Sequence, residues 1–221
     1  MQKAIATWML AAGIAACCSA QVTAVKGGYL FRVRYTTGQV LRFETKTTFG
    51  NKGSAGAGMT VQVPITLRVL SVAKGVANTS MTMGAGILNG QPYGKPQTLK
   101  VPLDSMDSSS YGGPKFSPKP VKIGGTWEAV RPFNLGGQTI PLNGLYRFQG
   151  TKTVDGEKVA VVAYDMKGAA NGTGTVLFLM SDASIYRNEM SITVPKIDPI
   201  SQFHVIMTRL PEPKVAHKTR R

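Results

Sequence analysis

Two histidines, eleven acidic residues and two cysteines are the whole stock from which this 221-residue chain could build a catalytic or metal site. The histidines are His204 and His217. A zinc site built on histidine needs further ligands close by, and no His-x-His or His-x-x-x-His spacing occurs. A nucleophilic triad needs a serine on a sharp turn beside a supported histidine, and there is no Gly-x-Ser-x-Gly. His204 therefore reads as a strand residue with its ring at the sheet surface. Two acids about 5–10 Å apart across a substrate could cleave a glycoside. The candidates are Asp104 with Asp107 and Asp165 with Asp182. The first pair opens a Ser-, Gly- and Pro-rich stretch, a poor scaffold for preorganised chemistry. The second pair lies near strand ends, where aspartate ordinarily forms turns. Gly53, Gly56 and Gly58 suggest a phosphate loop, but such a loop feeds a helix whose first amides meet the phosphate. A strand pattern follows here, so a plain turn is expected. These residue types predict a non-enzymatic protein with no cofactor and no metal.

Both cysteines, Cys17 and Cys18, sit at the end of a targeting segment. Met1-Gln2-Lys3 is a short positive start, and residues 4–16 (AIATWMLAAGIAA) are uncharged and apolar, the length of a signal-peptide core. Two processing readings stay open. Ile14-Ala15-Ala16-Cys17 resembles a bacterial lipobox, which would make Cys17 the acylated first residue of the mature protein. Alternatively, Cys18-Ser19-Ala20 offers small residues for cleavage before Gln21. Either way residues 1–20 are read as a signal peptide and the body of the protein holds no disulfide framework. Its stability must come from a hydrophobic core.

The roughly 200 residues that remain can bury such a core unaided. Lys and Arg number 26 against 11 Asp and Glu, a formal net charge of +15. A surface of that sign attracts anions. Export argues against nucleic acid and towards anionic lipid head groups or acidic envelope polymers, the alternative being that the charges only solvate loops and strand faces. No apolar run after residue 20 approaches the ~20 residues of a membrane-spanning helix.

The elements that would position any site are strands. In 29–35 (YLFRVRY), Tyr29, Phe31, Val33 and Tyr35 share one face and Arg32 and Arg34 the other. Leu41 and Phe43 alternate with Arg42 and Glu44. Val61, Val63, Ile65, Leu67 and Val69 alternate with Gln62, Pro64, Thr66 and Arg68. This period of two is that of a half-buried strand, with Pro64 marking an edge or a bulge because it lacks an N–H. Further strands are predicted at 79–83, 126–130, 145–150, 158–164, 173–180, 184–194 and 203–209. Asp155-Gly156, Asn143-Gly144 and Asn89-Gly90 carry the chemistry of tight hairpin turns, and 181–184 closes another hairpin. The expected fold is all-β, a mostly antiparallel up-and-down curved sheet (half-barrel or open barrel) of about nine or ten strands. It forms one domain over 21–210, with a mobile loop at 105–120 and a basic, disordered tail at 211–221.

Residues 159–164 and 176–180 are apolar on both faces, so that part of the sheet is either covered or lines a cavity. Val159, Val161, Val176 and Phe178 are accordingly the candidate lining of an apolar ligand site.

The run Pro120-Val121-Lys122-Ile123-Gly124-Gly125-Thr126-Trp127 resembles a phrase, P-V-K-x-G-x-x-W before a strand, of uncharacterised exported bacterial β-rich envelope proteins. The stretch from Tyr146-Arg147-Phe148 to Asp155-Gly156-Glu157-Lys158-Val159-Ala160 resembles their following hairpin, and 172–194 their closing strand–turn–strand unit. That group is similar in architecture to periplasmic lipoprotein-carrier half-barrels, whose concave face holds acyl chains. The resemblance implies a fold and, by analogy, an exported envelope protein, lipid-anchored in the lipobox reading, that binds an apolar or amphiphilic ligand. The rival expectation is an interaction module whose basic surface meets anionic envelope polymers or protein partners.

Overall fold

The computed structural model describes residues 22–51, 58–104, 107–108, 113–135, 138–194 and 200–211. The signal segment with Cys17, the 211–221 tail beyond Pro211, and Gly53 and Gly56 lie outside the described residues. No helix occurs among the described residues. The strands are β1 (Thr23–Val25), β2 (Gly28–Leu30), β3 (Val40–Asn51), β4 (Met59–Ala73), β5 (Val76–Met83), β6 (Gly86–Leu88), β7 (Gln91–Tyr93), β8 (Gln97–Asp104), β9 (Thr126–Leu135), β10 (Gln138–Val154), β11 (Glu157–Gly168), β12 (Asn171–Leu179), β13 (Ile185–Thr193) and β14 (Ile200–Arg209).

β1 and β2 form a small hairpin, and the other twelve strands form one antiparallel sheet that does not close into a barrel. Its main path is β7-β6-β4-β3-β14-β13-β12-β11-β10-β9. The long β4 also carries β5 along its second half, and β8 pairs outside β5. Two meanders, β3–β8 and β9–β14, are thus joined where β14 lies against β3. The expected fold class holds, with more strands than periodicity showed. β6 and β7 are only three residues long, and β8 (QTLKVPLD) carries Lys100 and Pro102 on a mostly exposed edge strand. A lysine and a proline are what an edge uses to discourage further pairing.

Turn chemistry explains the tight reversals. Asp155 and Gly156 take φ of 50° and 83°, and Asn89 and Gly90 take 47° and 86°, the double positive φ of a type I′ turn. Asn143-Gly144, expected as a third such turn, instead lies inside β10. Gly144 is there because a Cβ would stand 2.6 Å from the ring of Tyr146. Pro64 lies at neither an edge nor a bulge. Its carbonyl accepts from Gly84 N at 2.8 Å, on the side of β4 where β5 ends and β6 has yet to begin. The missing N–H therefore faces a gap in the ladder.

Antiparallel partners point to the same face, so register assigns every side chain. One face carries Leu41, Phe43, Leu67, Ala77, Leu103, Tyr146, Phe148, Val162, Val176, Phe178, Ile185 and Ile192, all nearly inaccessible and joined in a single core. Leu103 on the β8 edge and Trp127 on the β9 edge belong to that same core. A flat sheet would hold those edges about 40 Å apart at ~4.8 Å per strand. The sheet is therefore curled around this inner face.

Candidate functional site

Two segments cross the inner face. The first leads from β2 to β3. Of the expected 29–35 strand only Tyr29 and Leu30 are in a ladder, within β2, yet Phe31, Val33 and Tyr35 still alternate and are buried. Their partner is the inner face itself rather than a neighbouring strand. The second is the connection from β8 to β9, which joins opposite edges of the sheet. Its composition suggested a mobile loop, but its described part packs inward. Phe116 is 3% exposed and meets Phe31 and Phe178 at centroid distances of 5.7 and 5.1 Å. The indole N–H of Trp127 donates to Lys115 O at 2.9 Å. Arg32 bridges the two segments, its guanidinium donating to Ser117 O and Pro118 O. A large apolar ring in a Ser/Gly/Pro-rich stretch is the signal that composition hid.

The four predicted lining residues do not share a face. Val176 and Phe178 point inward into the core, where Phe178 meets Phe31 and Phe116. Val159 and Val161 pair with Leu179 and Leu177 and point outward, where a small second cluster forms with Val154 and Tyr186. Tyr186 reaches over to donate its hydroxyl to Asp155 at 2.7 Å. The apolar character on both sides of β11 and β12 is thus explained by two coverings. The register between these strands, which decides which valines match, is not visible in either strand alone.

Beyond the crossing segments the inner face becomes polar along β9–β13. Trp127, Tyr146 and Tyr164 form one cross-strand row, with centroids 5.4 and 5.6 Å apart. The tyrosine rings lie over Gly144 and Gly174, where any Cβ would collide with them. Tyr164 donates to Asn188 Oδ1 at 2.7 Å and accepts from Arg131. Arg131 is 8% exposed, and its Nη1 also stands 3.8 Å from Met190 Sδ. Burial, offset only in part by Arg131, pushes the Tyr164 hydroxyl up to about 12 and raises that of Tyr146. The Tyr146 hydroxyl is buried with no hydrogen-bond partner.

Next to this cluster, at one end of β14, β3, β4 and β5, the inner face carries half-buried apolar side chains beside Thr45 and Thr47, while Leu41, Phe43, Leu67, Val69 and Ala77 at the other end are buried. Asn188 pairs with Met207 and Met190 with Val205, so the two regions share a border. Register then continues to Phe49, Val61, Val63, Ile65 and Met81, with Phe49 and Phe203 in edge contact at 5.4 Å. Leu99 and Met59 on the same face are 47% and 36% exposed. From Thr45 to Phe49 this half-buried strip runs about 13 Å along β3.

The acidic pairs do not assemble a hydrolytic site. Asp182 lies in the β12–β13 turn, held by Ser184 and by Arg209 at 3.2 Å. Asp165 is roughly 20 Å along β11 from that end of the sheet. Asp104 and Asp107 are joined through backbone, Asp107 N to Asp104 O at 3.1 Å. Asp165 instead falls in a row with Leu145 and Glu128, bordering a cavity of about 1000 Å3 along the β9 edge together with Lys115 and Lys167. The backbones that carry its two acids, Asp165 and Glu128, lie two strand spacings apart, about 10 Å. His204 gains two partners by register: Ser191 Oγ at 3.1 Å from Nδ1 and Glu189 Oε1 at 3.7 Å from Nε2. The order resembles a triad, but the three residues are exposed in mid-sheet, where neighbouring amides are engaged in ladders on both sides. An acyl-transfer site needs free amides to hold its oxyanion. Among the described residues no group of three His, Cys, Asp or Glu side chains is placed to hold a metal ion.

No family model matches the chain, and no curated protein matches it in sequence. Among solved structures, a DUF1329 family protein from Desulfovibrio piger is similar at 10% identity, covering 81% of this chain and 88% of that one with a TM-score of 0.25. A likeness at that level leaves function to the geometry.

Proposed function

We propose that this chain is a non-enzymatic, exported cell-envelope protein that holds an apolar or amphiphilic ligand on the inner face of its curled sheet. The observation that carries this reading is the change along that face. Over β9–β13 it is sealed by Phe31 and Phe116, while around Phe49, Val61, Val63, Phe203 and Val205 on β3, β4 and β14 it is half-buried and largely apolar. An apolar surface of this extent, rimmed by polar groups, is what a ligand groove offers. Export rests on residues 1–20 alone. The lipobox reading adds a lipid anchor at Cys17, and the excess of Lys and Arg favours anionic membrane surfaces.

Native mass spectrometry of the protein expressed with its own leader, followed by organic extraction, tests this. Lipid released from the folded domain supports the reading, and a mature start at acylated Cys17 supports anchoring. A domain that starts at Gln21 and releases nothing moves the reading to an interaction module, which the net charge of +15 favours. Such a module would release its partner as salt rises, because exposed charges are screened beyond about 8–10 Å. Apolar binding would persist.

A further inference from the structure

We infer that the cluster of Arg131, Tyr146, Tyr164 and Asn188 is a head-group site that takes the carboxylate or phosphate of an anionic amphiphile whose chain lies on the neighbouring half-exposed face. This rests on the reading above and adds the ligand's charge and orientation.

Three observations meet here. Arg131 is a buried cation on the β9 edge strand, and two of its near neighbours are a thioether and a phenol, weak acceptors for a guanidinium. A guanidinium fork otherwise matches carboxylate and phosphate oxygens. The Tyr146 hydroxyl is a buried donor with nothing to donate to, and Arg131 acts on it electrostatically. An unsatisfied buried donor is rare enough to require a reason, and an incoming acceptor supplies one. Finally, Asn188 and Met190 pair with the buried Met207 and the half-buried Val205, so the polar cluster adjoins the half-buried apolar strip with no strand between them. On that surface Thr45 carries a second buried hydroxyl oxygen with no partner.

Asp107, on the segment that crosses the face, also acts on Tyr146 and opposes an anion there. Its charge would compete with the ligand's for Arg131. Removing it should therefore strengthen binding, while removing Arg131 should weaken it.

The test uses calorimetric titration of the mature chain with dodecanoate and with dodecanol, two ligands of equal chain length. Wild type should favour dodecanoate by about tenfold or more, about 1.4 kcal/mol per decade. Arg131→Met should level the two and Asp107→Asn should widen the gap. Tyr146→Phe guards against misfolding of the arginine variant. It removes a hydroxyl with no partner in the free protein, so melting should be unchanged or raised while the preference for dodecanoate falls severalfold. Equal binding of both ligands to wild type, or a preference untouched in both Arg131→Met and Tyr146→Phe, overturns the head-group site and leaves the apolar groove standing. Binding of neither ligand overturns both.

Discussion

The ring of Phe116 meets the ring of Phe178 edge to face, centroids 5.1 Å apart at an interplanar angle of 71°. One belongs to the segment that links the two edges of the sheet and the other to a strand near its middle. That contact, with Phe31 beside it, turns a Ser- and Pro-rich connection into part of the core.

Replacing Phe116 with alanine should therefore cost about 3–5 kcal/mol, the range for emptying a buried aromatic site. Urea unfolding should show the loss. Limited proteolysis should cut first within 105–120, because the segment's main apolar anchor is gone. A change below about 0.5 kcal/mol would mean that the segment rests on the sheet without holding it.

The β12–β13 turn is fastened by Asp182, which accepts from Ser184 N at 2.9 Å and pairs with Arg209 at 3.2 Å. The two charged side chains are 17% and 16% exposed, so solvent screens them little. A double-mutant cycle of Asp182→Ala and Arg209→Met should give a coupling of about 1–3 kcal/mol. Each single change should cost more than the pair's net worth, since it strands the other charge.

Alkaline unfolding should report Tyr164. Its ionisation is pushed up to about 12 in the folded state by burial, against about 10 in an unfolded chain. Between those values the unfolded chain loses a proton that the folded one keeps, so stability falls as pH rises. The contribution is complete below about pH 10 and lost by about pH 12, roughly 2–3 kcal/mol in all. Tyr164→Phe should flatten that part of the profile. An unchanged slope would mean that other groups produce it.

Much of the fold was legible because its strands are half-buried and alternate cleanly. Leu41 and Phe43, and Val61 to Val69, sit on the inner face as their period of two requires. What was not legible was set by partners far away in the chain. Register decided that Val159 joins the outer cluster with Tyr186 while Val176 joins the inner core. It also placed Ser191 and Glu189 around His204, where each strand alone shows only alternating polar residues. Phe116 was hidden by its neighbours, because a loop reads as polar when averaged even if one ring is buried. Asn143-Gly144 had the composition of a turn, but the glycine is there to make room for a tyrosine ring, which only the folded sheet reveals.

Binding of a fluorescent fatty-acid probe to the mature chain, compared between Val61→Arg and Leu145→Arg, tests the central claim most directly. Val61 is half-buried on the inner face, whereas Leu145 is 41% exposed on the outer one. The account predicts saturable binding to wild type that survives Leu145→Arg, persists in high salt and is lost in Val61→Arg with the fold intact by circular dichroism. Absence of binding to wild type, or equal loss in the two variants, would contradict it.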